Sequence, residues 1–157
     1  MNLLHLFFPL ALLLFSTSTI AQVQSLCEKN ERVVWSCRAG IKYYSLCASG
    51  DLSSSSGYMQ YRAGRRGAIE FRFPVDQQHL RNYFKYRLLP HGAALTFRNG
   101  GYSYGIYEDL KGEPSIEVLA PNGRSRSIDC AESTHSLTLT STMEYFSRAD
   151  VKGDARE

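Results

Sequence analysis

Four cysteines, four histidines and one adjacent pair of carboxylates are the residues of this chain whose types could carry chemistry. A cysteine can attack an electrophile, ligate zinc or close into a disulfide, and spacing discriminates among the three. Structural zinc sites bring their ligands in close pairs such as C-x2-C or H-x3-H. Cys27, Cys37 and Cys47 stand ten apart, and His79, His91 and His135 are farther still, so no metal site is expected. Glu108-Asp109 could share general acid–base work only if both faced one substrate, whereas neighbours on a strand point to opposite faces. His79 and His91 fall in a basic stretch without an evident carboxylate partner and read as solvated. Neither G-x-S-x-G nor H-E-x-x-H occurs. The residues thus predict no catalytic group and no cofactor.

The compartment decides what the sulfurs do. The opening MNLLHLFFPLALLLFSTSTIAQ holds no Lys, Arg, Asp or Glu and runs apolar from Leu3 to Phe15, the length of a signal-peptide core and too short to span a bilayer. Thr19 and Ala21 supply small residues at the minus-three and minus-one positions, which places cleavage after Ala21. Leu26 precedes Cys27 where a lipid-attachment box requires a small residue. The expected product is periplasmic or secreted and not membrane-spanning. In an exported chain an even number of cysteines favours disulfides. The domain reading is a signal peptide over 1–21, an antiparallel β domain over 22–140, and a short helix with a polar tail over 141–157.

The elements that position these residues are mostly strands. Ala68 to Phe73 alternates apolar and charged side chains until Pro74 ends it. Leu95 to Ile106 is the clearest hairpin: Asn99-Gly100 suits a type I′ turn, a register that sets Phe97 opposite Tyr102 and Leu95 opposite Tyr104. Tyr102 and Tyr104 then belong to the core face, with Thr96, Arg98 and Ser103 on the other. Pro114 to Cys130 folds around Pro121-Asn122-Gly123, with Ile116 opposite Ile128 and Cys130 on the face of Ile128. An opening hairpin turns at Ala39-Gly40 and gathers Val33, Trp35, Cys37, Tyr44 and Leu46 on its apolar face. Tyr58 to Ala63 and Tyr83 to Leu88 add strands, residues 51–57 form a serine-rich loop, and Ser141-Thr142-Met143-Glu144 resembles a capping box that opens a helix from Thr142 to about Val151. About eight short antiparallel strands predict an all-β fold, a small β-barrel or sandwich with two disulfides and a short C-terminal helix.

The predicted faces sort the cysteines. Cys37 and Cys47 lie on neighbouring strands but on opposite sides, which a disulfide does not span without backbone distortion. Cys37 and Cys130 both face the core, which leaves Cys27 for Cys47, although four cysteines allow three pairings.

Charge is uneven. The formal net charge is +3, yet between Gln60 and Arg98 eight basic residues face only Glu70 and Asp76. Such a stretch suits an anionic partner or a solvated surface with a basic bias. The exported chain carries no nucleic-acid motif.

Trp35 through Cys47 matches an F/W-S-C-x-x-G-x-K-x-x-S-x-C opening, and together with SYGIY and SIDC it resembles uncharacterised secreted proteobacterial domains. The Cys37 to Cys130 segment is more distantly similar to the periplasmic and membrane-bound inhibitors of C-type lysozyme. That resemblance implies an eight-stranded barrel with a disulfide joining its first and last strands. In those inhibitors a serine of an S-G-x-x-Y motif and a lysine after the next strand enter the lysozyme cleft. Tyr102 and Lys111 fall where that tyrosine and lysine would, and Arg98 takes the serine's place. The expectation is a non-catalytic exported binding protein that inhibits a hydrolase such as lysozyme through Arg98, Tyr102 and Lys111. The alternative is an envelope-associated domain whose basic face binds an anionic polymer or lipopolysaccharide.

Overall fold

The computed structural model describes residues 25–138 and 140–151. The expected leader and the polar tail from 152 onward lie outside the described residues. Strands β1 (Glu31–Ala39), β2 (Lys42–Ser49), β3 (Met59–Arg65) and β4 (Ala68–Phe73) are successive antiparallel neighbours. Strands β5 (Lys85–Leu89), β6 (Gly92–Asn99), β7 (Tyr102–Asp109), β8 (Ser115–Leu119) and β9 (Ser125–Asp129) form a second meander. The chain then returns, and β10 (Glu132–Thr134) pairs with β1 to complete the first sheet, in the order β10-β1-β2-β3-β4. Consecutive strands therefore pair everywhere except at two seams, β4 to β5 and β9 to β10. The result is a sandwich of two five-stranded sheets that does not close into a barrel.

Each seam is held differently. At the β9–β10 seam Cys130 bonds Cys37 of β1, and the Ala131 amide donates to the Arg38 carbonyl. At the β4–β5 seam aromatic rings replace the missing ladder: Phe73 stacks on Phe97 at 4.6 Å and Phe71 on Tyr104 at 5.5 Å. Offset ring pairs at this spacing add to what the burial of their area contributes. The second disulfide, Cys27–Cys47, fastens the N-terminal arm to β2. Both bonds follow the pairing read from the strand faces.

Two turns and one strand depart from the sequence reading. The β6–β7 turn is Gly100-Gly101, with φ of 56° and 83°, and Phe97 sits across from Tyr104 instead of Tyr102. Two glycines take left-handed φ without a Cβ penalty, and this register stacks Phe97 on Tyr104 at 4.7 Å and 3°. In β1 an irregularity between Val33 and Trp35 inserts Val34, so Val33 pairs with Cys47 while Trp35 pairs with Leu46. One extra residue flips the side-chain phase. Val33 thus leaves the face of Trp35, and Val34 takes the buried place. The opening turn is likewise one residue later, at Gly40-Ile41.

Helix α1 (Thr140–Arg148) begins before Ser141, which puts Ser141 in the first turn and not at the N-cap. Its buried positions Thr142, Tyr145, Phe146 and the following Ala149 recur at helical spacing. Phe146 stacks on Tyr86 of β5, and the Tyr145 hydroxyl donates to the Ser49 carbonyl at the end of β2. The helix therefore ties the two sheets together.

A candidate binding cleft beside the open seam

Because β4 and β5 do not pair, the seam between them opens onto the outer face of the second sheet. A cleft of about 720 Å³ lies there, walled by the 81–85 segment and continuing over β6, β7 and β8. On the opposite, inward face of the same strands, Phe73, Phe97 and Tyr104 form a near-parallel stack in the core and Phe84 packs edge-on against Phe97. Burial, with a smaller contribution from Tyr102, raises the Tyr104 phenol above its ordinary pKa. Sites for small ligands are commonly concave and apolar with a few placed polar groups.

The polar groups come from the outward positions of β5 to β8. Thr96 pairs with both Lys85 and Gly105, Gly105 pairs with Glu117, and Arg98 pairs with Ser103. Residues directly opposite on adjacent strands share a face, so all of these line one surface of the cleft. The Arg98 Nε donates to Ser103 Oγ at 3.1 Å. Arg81, on the far wall, is already engaged by Asp150 at 3.0 Å and by the Ser54 carbonyl. Arg81, Lys85 and Arg98 thus bring three cations to the rim and Glu117 a carboxylate.

One side chain in the cleft is held unusually. A Cβ placed on Gly105 would lie 2.4 Å from Tyr107 Cε2 and 2.8 Å from its Cζ and Oη. The Tyr107 ring thus folds back along its own strand and lies over Gly105, which is buried although it faces outward at mid-strand. Strand side chains ordinarily stand away from the sheet. Glycine at this point gives the ring room to lie down.

The three residues expected to bind a partner do not converge. Arg98 lines the cleft. Tyr102 shares the face of Tyr104, whose ring it meets at 6.4 Å, but at the open end of β7 it is 42% exposed and not buried in the core as expected. Lys111 is exposed in the loop after Asp109, at the opposite end of β7. Strand rise puts roughly 25 Å or more between Tyr102 and Lys111. A single narrow protrusion cannot carry both.

The basic stretch is divided between two faces. Arg62 is buried, not exposed: its guanidinium binds Glu31 through two contacts of 2.6 and 2.7 Å, and it also reaches Gln60 Oε1 and the Leu26 carbonyl. The N-terminal arm, pinned by Cys27–Cys47, lies over this network, and the Leu26 amide donates to Ser45 Oγ. Burial opposes ionisation of Glu31, yet hydrogen bonds from Arg62, the Glu28 amide and Tyr58 outweigh it and hold the carboxyl below the usual range. Burial and the bond it donates to Glu31 push the Tyr58 phenol up to about 12. Arg65 and Lys42 share Glu70. Arg66 and Arg72 flank a second hollow of about 410 Å³ beside the arm.

The remaining chemical candidates have structural partners. Glu108 Oε2 accepts from the Leu137 amide at 2.7 Å, which anchors the segment before α1. His79, expected to be solvated, accepts from the Arg81 amide at Nδ1 and meets the Ser53 carbonyl at Nε2. It closes a short 3-10 turn, Leu80–Asn82, against the serine-rich loop. His91 is exposed. Among the described residues, Cys27, Glu31 and Cys47 bring three ligand-type atoms together. Both sulfurs are consumed in the disulfide and the carboxylate is taken by Arg62, so the group lacks the thiolates that a metal would need. Among the described residues no helix is long and apolar enough to cross a membrane. No protein-family model, curated protein or solved structure matches the chain.

Proposed function

We propose that this chain is an exported, non-catalytic binding protein that holds an anionic polymer of the cell envelope against the outer face of its second sheet. The observation that carries the reading is the cleft beside the open seam, where Tyr107 lies among Lys85, Arg98 and Glu117 on the outward face of the sheet. Arg87 extends the same edge through a small neighbouring hollow that shares Lys85 and Thr96 with it. Exposed cations of this kind act over a Debye length, so salt is the direct probe. Co-sedimentation with lipopolysaccharide micelles should weaken severalfold from about 20 to about 200 mM salt, as the screening length falls from roughly 20 to 7 Å. The variant Lys85→Ala/Arg87→Ala/Arg98→Ala should lose both the binding and its salt dependence. Unchanged binding by that variant would remove the cleft from the reading.

A second reading, inhibition of a lysozyme-type hydrolase, is favoured by the exposed Tyr102 at the Gly100-Gly101 turn, with Arg98 on the other face of the same hairpin end. A lysozyme turnover assay separates the two. Inhibition lost on Tyr102→Ala but retained on Lys111→Ala would support entry of this hairpin alone, since Lys111 stands at the other end of β7.

A further inference from the structure

The cleft holds a more specific feature than its charge. The outer end of the Tyr107 ring lies over Gly105, and the positions around it are Thr96 and Glu117, which pair with Gly105 from either side, and Ser103, two residues along the strand. Arg98 is bonded to Ser103 and Lys85 pairs with Thr96. An aromatic ring laid back along its strand is therefore surrounded by two hydroxyls, a carboxylate, a guanidinium and an ammonium, all on one sheet face.

We infer that Tyr107 and its surrounding side chains form a subsite for a sugar ring that carries an anionic substituent. The inference rests on the binding reading above and names its ligand class. A pyranose has an apolar face of C–H groups and a rim of hydroxyls. The ring of Tyr107 meets the first, as aromatic side chains do where one side of a ligand is apolar and its edge is wet. Thr96, Ser103 and Glu117 meet the second: the carboxylate accepts from two hydroxyls, and the side-chain hydroxyls donate or accept as needed. Arg98 supplies the planar fork that recognises a carboxylate or a phosphate. A flexible polyanion without rings would use the cations alone and leave the plane idle. Gly105 is the part of the device that a purely electrostatic surface does not need. Glycine weakens a strand interior, and here it clears the space that the outer end of the Tyr107 ring occupies.

The test is calorimetric titration of the mature chain with four probes: tetragalacturonate, glucose 6-phosphate, neutral maltotetraose and polyphosphate. The expected order places tetragalacturonate or glucose 6-phosphate above maltotetraose, and the preferred one of the two identifies carboxylate or phosphate as the anionic group. Gly105→Ala should tip the Tyr107 ring off the sheet and weaken sugar binding about tenfold, the upper range of a ring contact. Tyr107→Ala should do the same, and Tyr107→Phe should retain binding. Adding Gly105→Ala to Tyr107→Ala should cause no further loss, because no ring remains to displace. Tyr107→Leu keeps bulk without a plane and serves where Gly105→Ala disturbs folding, as judged by circular dichroism. Polyphosphate binding that matches the sugars and ignores both Gly105→Ala and Tyr107→Leu would overturn the sugar subsite while leaving the anionic reading intact. Failure of every probe would overturn both.

Discussion

Glu31→Gln is the substitution whose consequence is best defined by the fold. Glu31 and Arg62 have side chains 0% and 2% exposed, and their two contacts of 2.6 and 2.7 Å use both carboxylate oxygens. A glutamine keeps one acceptor and turns an amide donor toward the second guanidinium N–H. The charge on Arg62 then remains buried without its counter-charge. Breaking one partner of a buried pair costs about 3–5 kcal/mol, against roughly 5–15 kcal/mol for the whole stability of a typical domain. The assay is urea unfolding followed by circular dichroism on Glu31→Gln, Arg62→Met and the double variant. Contacting residues couple, so the double should be less destabilised than the sum of the singles by about 2 kcal/mol or more. A cost below about 1 kcal/mol with strictly additive singles would show the pair to be hydrated, and the account of the N-terminal arm as its cover would fail.

Acid should act through the same carboxylate. Its folded pKa lies below its ordinary value, so the unfolded chain binds the extra proton, and the stability is present above about pH 4.3 and lost as pH falls through the folded value. The urea midpoint of the wild type should therefore drop on acidification from about pH 5, and Glu31→Gln should flatten that limb. An identical slope in the variant would assign acid lability to other groups. The disulfides should differ by the loops they close, with sequence separations of 20 for Cys27–Cys47 and 93 for Cys37–Cys130. Chain entropy gives about 3 and about 5 kcal/mol respectively, so paired alanine substitution should cost more at Cys37/Cys130 in denaturant titrations. The reverse order would point to the strap, and not the seam, as the larger constraint.

The fold was legible where the pattern is local. Ile69 to Phe73 alternates apolar and charged residues without interruption, and β4 spans them together with Ala68. Ile116 opposite Ile128 follows from a turn whose glycine position is unambiguous, with Gly123 at φ 80°. Where two solutions were locally equal, long-range packing chose. Asn99-Gly100 and Gly100-Gly101 both suit a type I′ turn, and the stack of Phe97 on Tyr104, closed by Phe73 from another sheet, selects the second. The β10 strand was missed because three residues carry no readable period and pair only through the return past Cys130. The bulge at Val34 was hidden because Val33-Val34 offers two equivalent apolar residues to either phase.

The candidate site was less legible. Arg98 was singled out through a resemblance, while Tyr107 was not singled out at all. Its signal is a glycine two residues earlier on the same strand face, which reads as a weakness of the strand until the ring is seen over it. Arg62 counted toward a basic surface because its partner is 31 residues away and no local pattern announces a buried ion pair. Net charge along a stretch therefore overstated what faces solvent.

The central claim is that ligand meets the chain in the cleft beside the β4–β5 seam. Amide chemical-shift mapping of the isotopically labelled chain over residues 22–157, titrated with tetragalacturonate, tests it most directly. The account predicts perturbations gathered at Arg81 to Lys85, Thr96 to Arg98, Ser103 to Tyr107 and Glu117. Shifts centred on Lys111, or on Arg66 and Arg72 beside the N-terminal arm, would contradict it.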